Sequence, residues 1–153
     1  MARIKEKKVI VGGTFEILHR GHKALLRRAF KLGQTTIGLT SDIFAQKLKR
    51  RKVKDFKERK KELTDFTKPP HLKYRRGGKI QAKIIKIENK FGPTLDKNFD
   101  YIVVSSETYK TALLINKERQ KANKKPIKIV KINFVLDKDG KLFSATKLLK
   151  NKK

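Results

Sequence analysis

Val9-Ile10-Val11-Gly12-Gly13-Thr14-Phe15-Glu16-Ile17-Leu18-His19-Arg20-Gly21-His22 is the stretch on which the fold turns. Its β-branched run reads as a strand that ends at two glycines. From about Gly21 to Leu32 the pattern becomes helical. Ala24, Leu25, Ala29 and Leu32 recur at three and four residues, Lys and Arg fill the other face, and Gly33 ends the segment. A strand, a glycine turn and a helix in this order open a parallel α/β sheet, whose ligands sit beyond the carboxyl ends of the strands. Without side chains at Gly12 and Gly13, backbone N–H groups can approach an oxyanion. His19 and His22 flank Gly21 at the helix start, so both imidazoles and the positive end of the helix dipole face one crevice.

The same alternation continues along the chain. Thr35 to Thr40 reads as a second strand, after which Ser41 or Asp42 caps a short helix running to about Leu48. The basic stretch Lys47 to Lys54 leads into an amphipathic helix carrying Phe56, Leu63 and Phe66, stopped by Thr67-Lys68-Pro69-Pro70. His71 to Gly78 reads as an exposed loop, Ile80 to Ile87 as a third strand and Phe91-Gly92-Pro93-Thr94 as a turn. Tyr101 to Val104 is a short buried strand, followed by a helix from about Glu107 to Ala122 and a last strand from Ile127 to Val135. A turn at Asp137-Lys138-Asp139-Gly140 and a short helix from Ser144 to Leu149 close the chain. The pattern predicts an α/β fold: a single Rossmann-like, doubly wound parallel sheet of about five strands. The 153 residues are expected to form one domain, with 1–7 and 151–153 as flexible basic ends.

Composition bounds the function. With no cysteine, disulfides and thiolate metal sites are excluded. The three histidines, His19, His22 and His71, have no acidic partner at ligand spacing, so no side-chain metal site is expected. Val9 to Val11 is far too short for a signal core or a membrane span, which makes the cytoplasm the expected compartment. Lys and Arg number 42 against 14 acidic residues, a formal net charge of +28. Such a field attracts polyanions: nucleotides, phosphorylated metabolites, nucleic acid. Only ten of the 42 are Arg, and base readers lean on bidentate Arg. Most of the charge therefore reads as solvated helix faces from a general Lys bias.

Thr14-x₄-His19-x-Gly21-His22, in strand–turn–helix context, resembles the signature of the nucleotidyltransferase superfamily, the adenylyl- and cytidylyltransferases. The resemblance implies in-line attack of a phosphate oxygen on the α-phosphorus of a nucleoside triphosphate. That chemistry needs no protein nucleophile, only positioning and charge stabilisation. It implies that His22 contacts the α-phosphate, that His19 faces the nucleotide phosphates with Gly12, Gly13 and Gly21, and that Thr14 bonds the acceptor phosphate or the reacting oxygens. Glu16 departs from the family's usual Asp.

Further segments narrow the family. Gly38-Leu39-Thr40-Ser41-Asp42, Phe91-Gly92-Pro93-Thr94, Val103-Val104-Ser105-Ser106-Glu107-Thr108-Tyr109 with Asn116-Lys117-Glu118-Arg119, and Asp139-Gly140-Lys141-Leu142-Phe143-Ser144-Ala145-Thr146 follow in order. From about Val9 to Lys150 the series resembles the archaeal type of phosphopantetheine adenylyltransferase. That implies ATP and 4′-phosphopantetheine as substrates, dephospho-coenzyme A and pyrophosphate as products, and Mg²⁺ arriving with ATP. It also implies nucleotide contacts at Glu107, Asn116 and Arg119, the last two sharing a helix face. Ser144 and Thr146 are implied as hydroxyl donors to phosphate. Ala145 and Leu149 replace a Ser and an Arg of that last motif, leaving Lys147 or Lys150 as point donors in their stead. A Lys of the 47–61 run is implied to bridge the two substrates' phosphates, either Lys47 or Lys49. Arg59, in Glu58-Arg59-x₃-Leu63, matches a family helix beside the acceptor site.

Two other readings stay open at this level. Within the class, the acceptor is nicotinamide or flavin mononucleotide, or a choline- or glycerol-phosphate; Gly-Gly-Thr-Phe argues against the nicotinamide type and Ser-Ser-Glu-Thr against the others. From another class, the chain is a basic nucleic-acid-binding module on this scaffold, resting on Lys47–Lys61, Arg75-Arg76 and the charged tail. Aromatics among those charges are sparse (Phe56, Tyr74), so stacking has little support and any such binding is expected to be non-specific.

Overall fold

The computed structural model describes residues 7–67 and 82–132. The expected loop at 71–78, the turn at 137–140 and the closing helix with Ser144 and Thr146 lie outside the described residues. Among the described residues, five strands form one parallel sheet: β1 (Lys8–Gly13), β2 (Gln34–Thr40), β3 (Ala82–Ile87), β4 (Tyr101–Val104) and β5 (Lys128–Lys131). Their spatial order is β3-β2-β1-β4-β5. Four helices of the described residues alternate with them: α1 (Arg20–Leu32), α2 (Asp42–Lys49), α3 (Phe56–Phe66) and α4 (Tyr109–Lys121).

The order follows from which faces must be covered. Val9 and Val11 point to one side of β1 and Ile10 to the other, as the two-residue strand period requires. On the first side they meet Leu25, Leu26, Ala29 and Phe30 of α1 and Leu63 and Phe66 of α3. On the second, Ile10, Ile102 and Val104 meet Ala112 and Ile115 of α4. Leu26 is wholly buried, and a leucine so placed contributes about 2 kcal/mol by transfer from water. Helices on both faces make the sheet doubly wound, as the alternation predicts. The chain runs β1 to β2 to β3 toward one edge and then crosses back to β4 on the far side of β1. The strand order therefore reverses between β1 and β4, and the crevice above that point is where an open α/β sheet takes its ligand.

Element ends carry the expected signals with small shifts. Ser41 caps α2, its Oγ accepting from the Phe44 N–H at 3.1 Å. Asp55 caps α3 in the same way, through the Glu58 N–H at 2.9 Å. The helix expected from Glu107 starts two residues later, because Ser105 to Thr108 form a turn in which the Thr108 Oγ1 accepts from the Ser105 N–H.

Candidate active site

The turn after β1 is shaped by an unusual backbone conformation. Phe15 has φ 47°, in the left-handed region that side chains rarely enter, yet its ring is buried. The ring folds back over Gly13, where an added Cβ would approach it to 2.9 Å. Gly13 is thus required by packing. At Gly12 a Cβ would meet only the Gly38 carbonyl, at an ordinary 3.9 Å, so crowding within the protein does not require that glycine.

His19 and His22 divide the work at the start of α1. His19 is the N-cap: its Nδ1 accepts from the Gly21 and His22 N–H groups at 3.1 and 3.4 Å. The neutral ring therefore carries its proton on Nε2. His22 Nδ1 lies 2.8 Å from the Ile17 carbonyl, which can only accept, so this ring carries its proton on Nδ1. The two rings stack with centroids 3.8 Å apart, and the edge of Phe15 closes on His22 at 5.1 Å. Burial, then the neighbouring His19 and Lys49, push the His22 pKa down to about 4, against the weaker pull of the Ile17 carbonyl. Burial and Lys49 lower His19 as well. Both imidazoles are neutral at pH 7. His22 lines the cleft, while His19 stands behind it as cap and stacking partner.

Beneath Thr14 lies a buried arginine. Arg59 is 0% exposed. Its Nη1 donates to the carbonyls of Thr14 (3.1 Å) and Thr40 (2.9 Å) and to Thr40 Oγ1 (3.2 Å). Its Nε donates to the Lys54 carbonyl and its Nη2 to Asp42 at 3.0 Å. Thr40 Oγ1 in turn lies 3.1 Å from Thr14 Oγ1. Arg59, expected beside the acceptor, has each of its nitrogens bonded to the protein and does not line the cleft.

Glu16 holds the next layer. It is 5% exposed, takes both Nη groups of Arg51 at 2.7 and 3.1 Å, and accepts from the Lys54 N–H at 3.1 Å. Burial raises its pKa, but Arg51, the Lys54 N–H and Lys49 together outweigh that and hold it below the ordinary carboxylate value. The longer side chain thus keeps a loop-shaping role, by pinning the α2–α3 connection to the phosphate turn.

The cleft above these residues has a volume of about 390 Å³ and spans the ends of β1, β2 and β4. Thr14, His22 and Lys49 line it, with Lys90 at the turn after β3. Of the two lysines left open by the sequence, Lys49 lines the cleft and Lys47 does not. The far wall is apolar, built from Ile87, Phe91, Pro93, Ile102 and Val104, with Ser105 and the exposed carboxylate of Glu107 at its rim. Phe91, Pro93 and Val104 of this wall fall in the quoted segments, whereas Lys90 and Ile87 carry no motif and only the parallel pairing of β3 with β2 reveals them.

Asn116 and Arg119, expected at the nucleotide, do not line the cleft. Asn116 exchanges two hydrogen bonds with the backbone of Ile127, at 2.9 and 2.8 Å, and so anchors the entry to β5. Arg119, 2% exposed, donates to the carbonyls of Lys125, Thr94 and Lys97 and to Asn98 Oδ1. It braces the turn whose residues Phe91 to Thr94 wall the cleft. Among the described residues no cluster of His, Asp and Glu could hold a metal ion, and no helix is long and apolar enough to cross a membrane.

Comparison with known proteins agrees with this geometry. The cytidylyltransferase-like family model matches residues 10–151. A phosphopantetheine adenylyltransferase of Methanosarcina mazei is 40% identical over 94% of this chain and 90% of its own length. That of Archaeoglobus fulgidus is 43% identical over 92% and 91%. Among solved structures, an A. fulgidus protein described as of unknown function superposes with a TM-score of 0.72 at 42% identity, covering 82% of this chain and 88% of the other. A pantoate-β-alanine ligase of Francisella tularensis, 13% identical, shares the fold alone at a TM-score of 0.61, covering 99% of this chain and 68% of its own. The chain belongs to the cytidylyltransferase-like family of nucleotidyltransferases, in the branch of the archaeal phosphopantetheine adenylyltransferases.

Proposed function

We propose that this enzyme transfers the adenylyl group of ATP to 4′-phosphopantetheine, giving dephospho-coenzyme A and pyrophosphate. The observation that carries the reading is the convergence of Thr14, His22 and Lys49 on one cleft at the reversal of strand order. An oxygen of the acceptor phosphate attacks the α-phosphorus in line; the bond from that phosphorus to the bridging oxygen breaks, and pyrophosphate leaves with the electron pair. No protein nucleophile is needed, so catalysis lies in positioning and in matching the charge that builds on the α-phosphate.

The residues divide accordingly. His22 faces the α-phosphate and, once the triphosphate's negative charge raises its proton affinity, donates from Nε2. Lys49 bridges the phosphates of the two substrates. Thr14 donates its hydroxyl to the acceptor phosphate, and Glu107 at the opposite rim contacts the nucleotide. Ser144 and Thr146 join as hydroxyl donors to phosphate by family resemblance. The cleft offers one exposed carboxylate and several hydroxyls, a donor set that suits Mg²⁺ entering on the triphosphate. The apolar wall suits an adenine ring or the pantetheine arm better than a string of charged groups.

Incubating the protein with ATP, Mg²⁺ and each acceptor, and following pyrophosphate, tests the reading. Turnover with phosphopantetheine is expected; turnover only with another phosphorylated acceptor would overturn it. His22→Ala should lower kcat by about 10²- to 10³-fold, the range for removing one transition-state donor, with KM little changed. A variant with near-normal kcat would place the chemistry elsewhere.

A further inference from the structure

We propose that Arg59 is a positioning residue for the transfer step, which through Thr40 fixes the hydroxyl of Thr14 as a donor into the cleft. The inference rests on the adenylyl-transfer reading above and assigns a role to Arg59, which does not line the cleft, acting through Thr40, which lines it beside Thr14.

The geometry has three parts. A hydroxyl has one hydrogen and two lone pairs. Arg59 Nη1 can only donate, and it occupies an acceptor position of Thr40 Oγ1 at 3.2 Å. The Thr40 hydroxyl donates its hydrogen to Thr14 Oγ1 at 3.1 Å. Thr14 Oγ1 then accepts from Thr40, and its own hydrogen is left to turn into the cleft that both threonines line. A hydroxyl so aimed is a pre-set donor to a phosphate oxygen and does not have to choose between roles during the reaction.

The same guanidinium fixes the backbone. By donating to the carbonyls of both Thr14 and Thr40 it ties the end of β1 to the end of β2 directly under the reacting groups. Asp42, its partner at 3.0 Å, is half-exposed, so the ion pair is incompletely compensated inside the protein. A buried guanidinium is costly to keep, and its neighbours here give it a task beyond packing. Its fixed positive charge also lies beneath the site where phosphate charge collects.

Single and double variants separate positioning from bulk stability. Thr40→Val keeps the shape of the side chain and leaves both carbonyl contacts of Arg59 in place. It is expected to lower kcat about tenfold with KM for ATP unchanged. Thr14→Val should do at least as much, and the double variant no more than Thr14→Val alone, since Thr40 acts through Thr14. Effects that multiply, or a Thr40→Val enzyme with unaltered kcat, would overturn the proposal. Arg59→Lys supplies a single point donor and should reproduce the kcat loss; wild-type kcat in that variant would equally overturn it. If Arg59→Lys does not fold, the threonine cycle decides. A further readout is independent of the acceptor used. The Thr40 hydroxyl proton, enclosed between Arg59 and Thr14, should exchange with water slowly enough to give a discrete NMR signal, absent in Thr40→Val. A fast-exchanging proton would overturn the hydrogen-bond assignment even in a protein inactive toward phosphopantetheine, whereas a protected proton in such a protein would leave the assignment standing and the reaction reading lost.

Discussion

His22 is chemically quiet in the absence of substrate, and this has a measurable consequence for stability. Its pKa of about 4 in the folded chain lies below the ordinary 6.5 expected of the unfolded one. The unfolded state therefore binds more protons between these values, and stability falls as pH drops through that window. Above pH 6.5 the contribution is intact; below 4 it is gone, a loss of about 3 kcal/mol from this residue. Unfolding free energies from urea titrations of wild type and His22→Asn, taken from pH 7.5 to 4, should diverge by about that amount. Parallel profiles would show that His22 is not held neutral by its surroundings. The histidines themselves were legible in the sequence, as was their place beside a glycine turn. Which ring caps the helix and which faces the cleft was not legible, because both flank Gly21 and the choice rests on Ile17 and on the fold of Phe15. The left-handed backbone at Phe15 has no local signal either: only packing over Gly13 sustains a conformation that costs about 1 kcal/mol or more.

At the scale of elements, two buried arginines hold the cleft from opposite sides. Arg59 ties α3 to the ends of β1 and β2, and Arg119 ties α4 to the turn between β3 and β4. Periodicity correctly placed Asn116 and Arg119 on one face of α4. It could not say what that face meets, since the strand order puts β5 and the 94–98 turn there. Arg119→Met fills similar volume but leaves three carbonyls and the Asn98 amide oxygen without this donor. Leaving a buried acceptor unsatisfied costs about 1 to 3 kcal/mol, and several lose their donor here. Thermal unfolding should show that loss while the KM for ATP of the folded enzyme rises only modestly through the loosened Phe91–Thr94 wall. A large, selective rise in KM without loss of stability would return Arg119 to the binding site.

Over the whole molecule the net charge of +28 invites the reading that a general field gathers anions. Screening argues otherwise: at physiological salt the Debye length is about 8 Å, so only cations close to the bound phosphates act on them strongly. Lys49 and Lys90 line the cleft, whereas Lys31 ends α1 and Lys125 follows α4, at the opposite edge of the sheet. Lys49→Ala should therefore raise the KM for ATP by about tenfold near 0.15 M salt and flatten its salt dependence, since an opposite charge at contact is worth roughly 1 to 4 kcal/mol in a wet cleft. The pair Lys31→Ala and Lys125→Ala removes two charges from the total and should change KM less than about twofold at that salt, showing an effect only as ionic strength falls and the Debye length grows toward molecular size. Steady-state kinetics from 0.02 to 0.5 M salt distinguish the cases. Equal losses from both sets would mean that the summed field, and not the local geometry of the cleft, draws in the triphosphate; nucleic acid would then be an effective competitor of ATP, as the same field would gather it too.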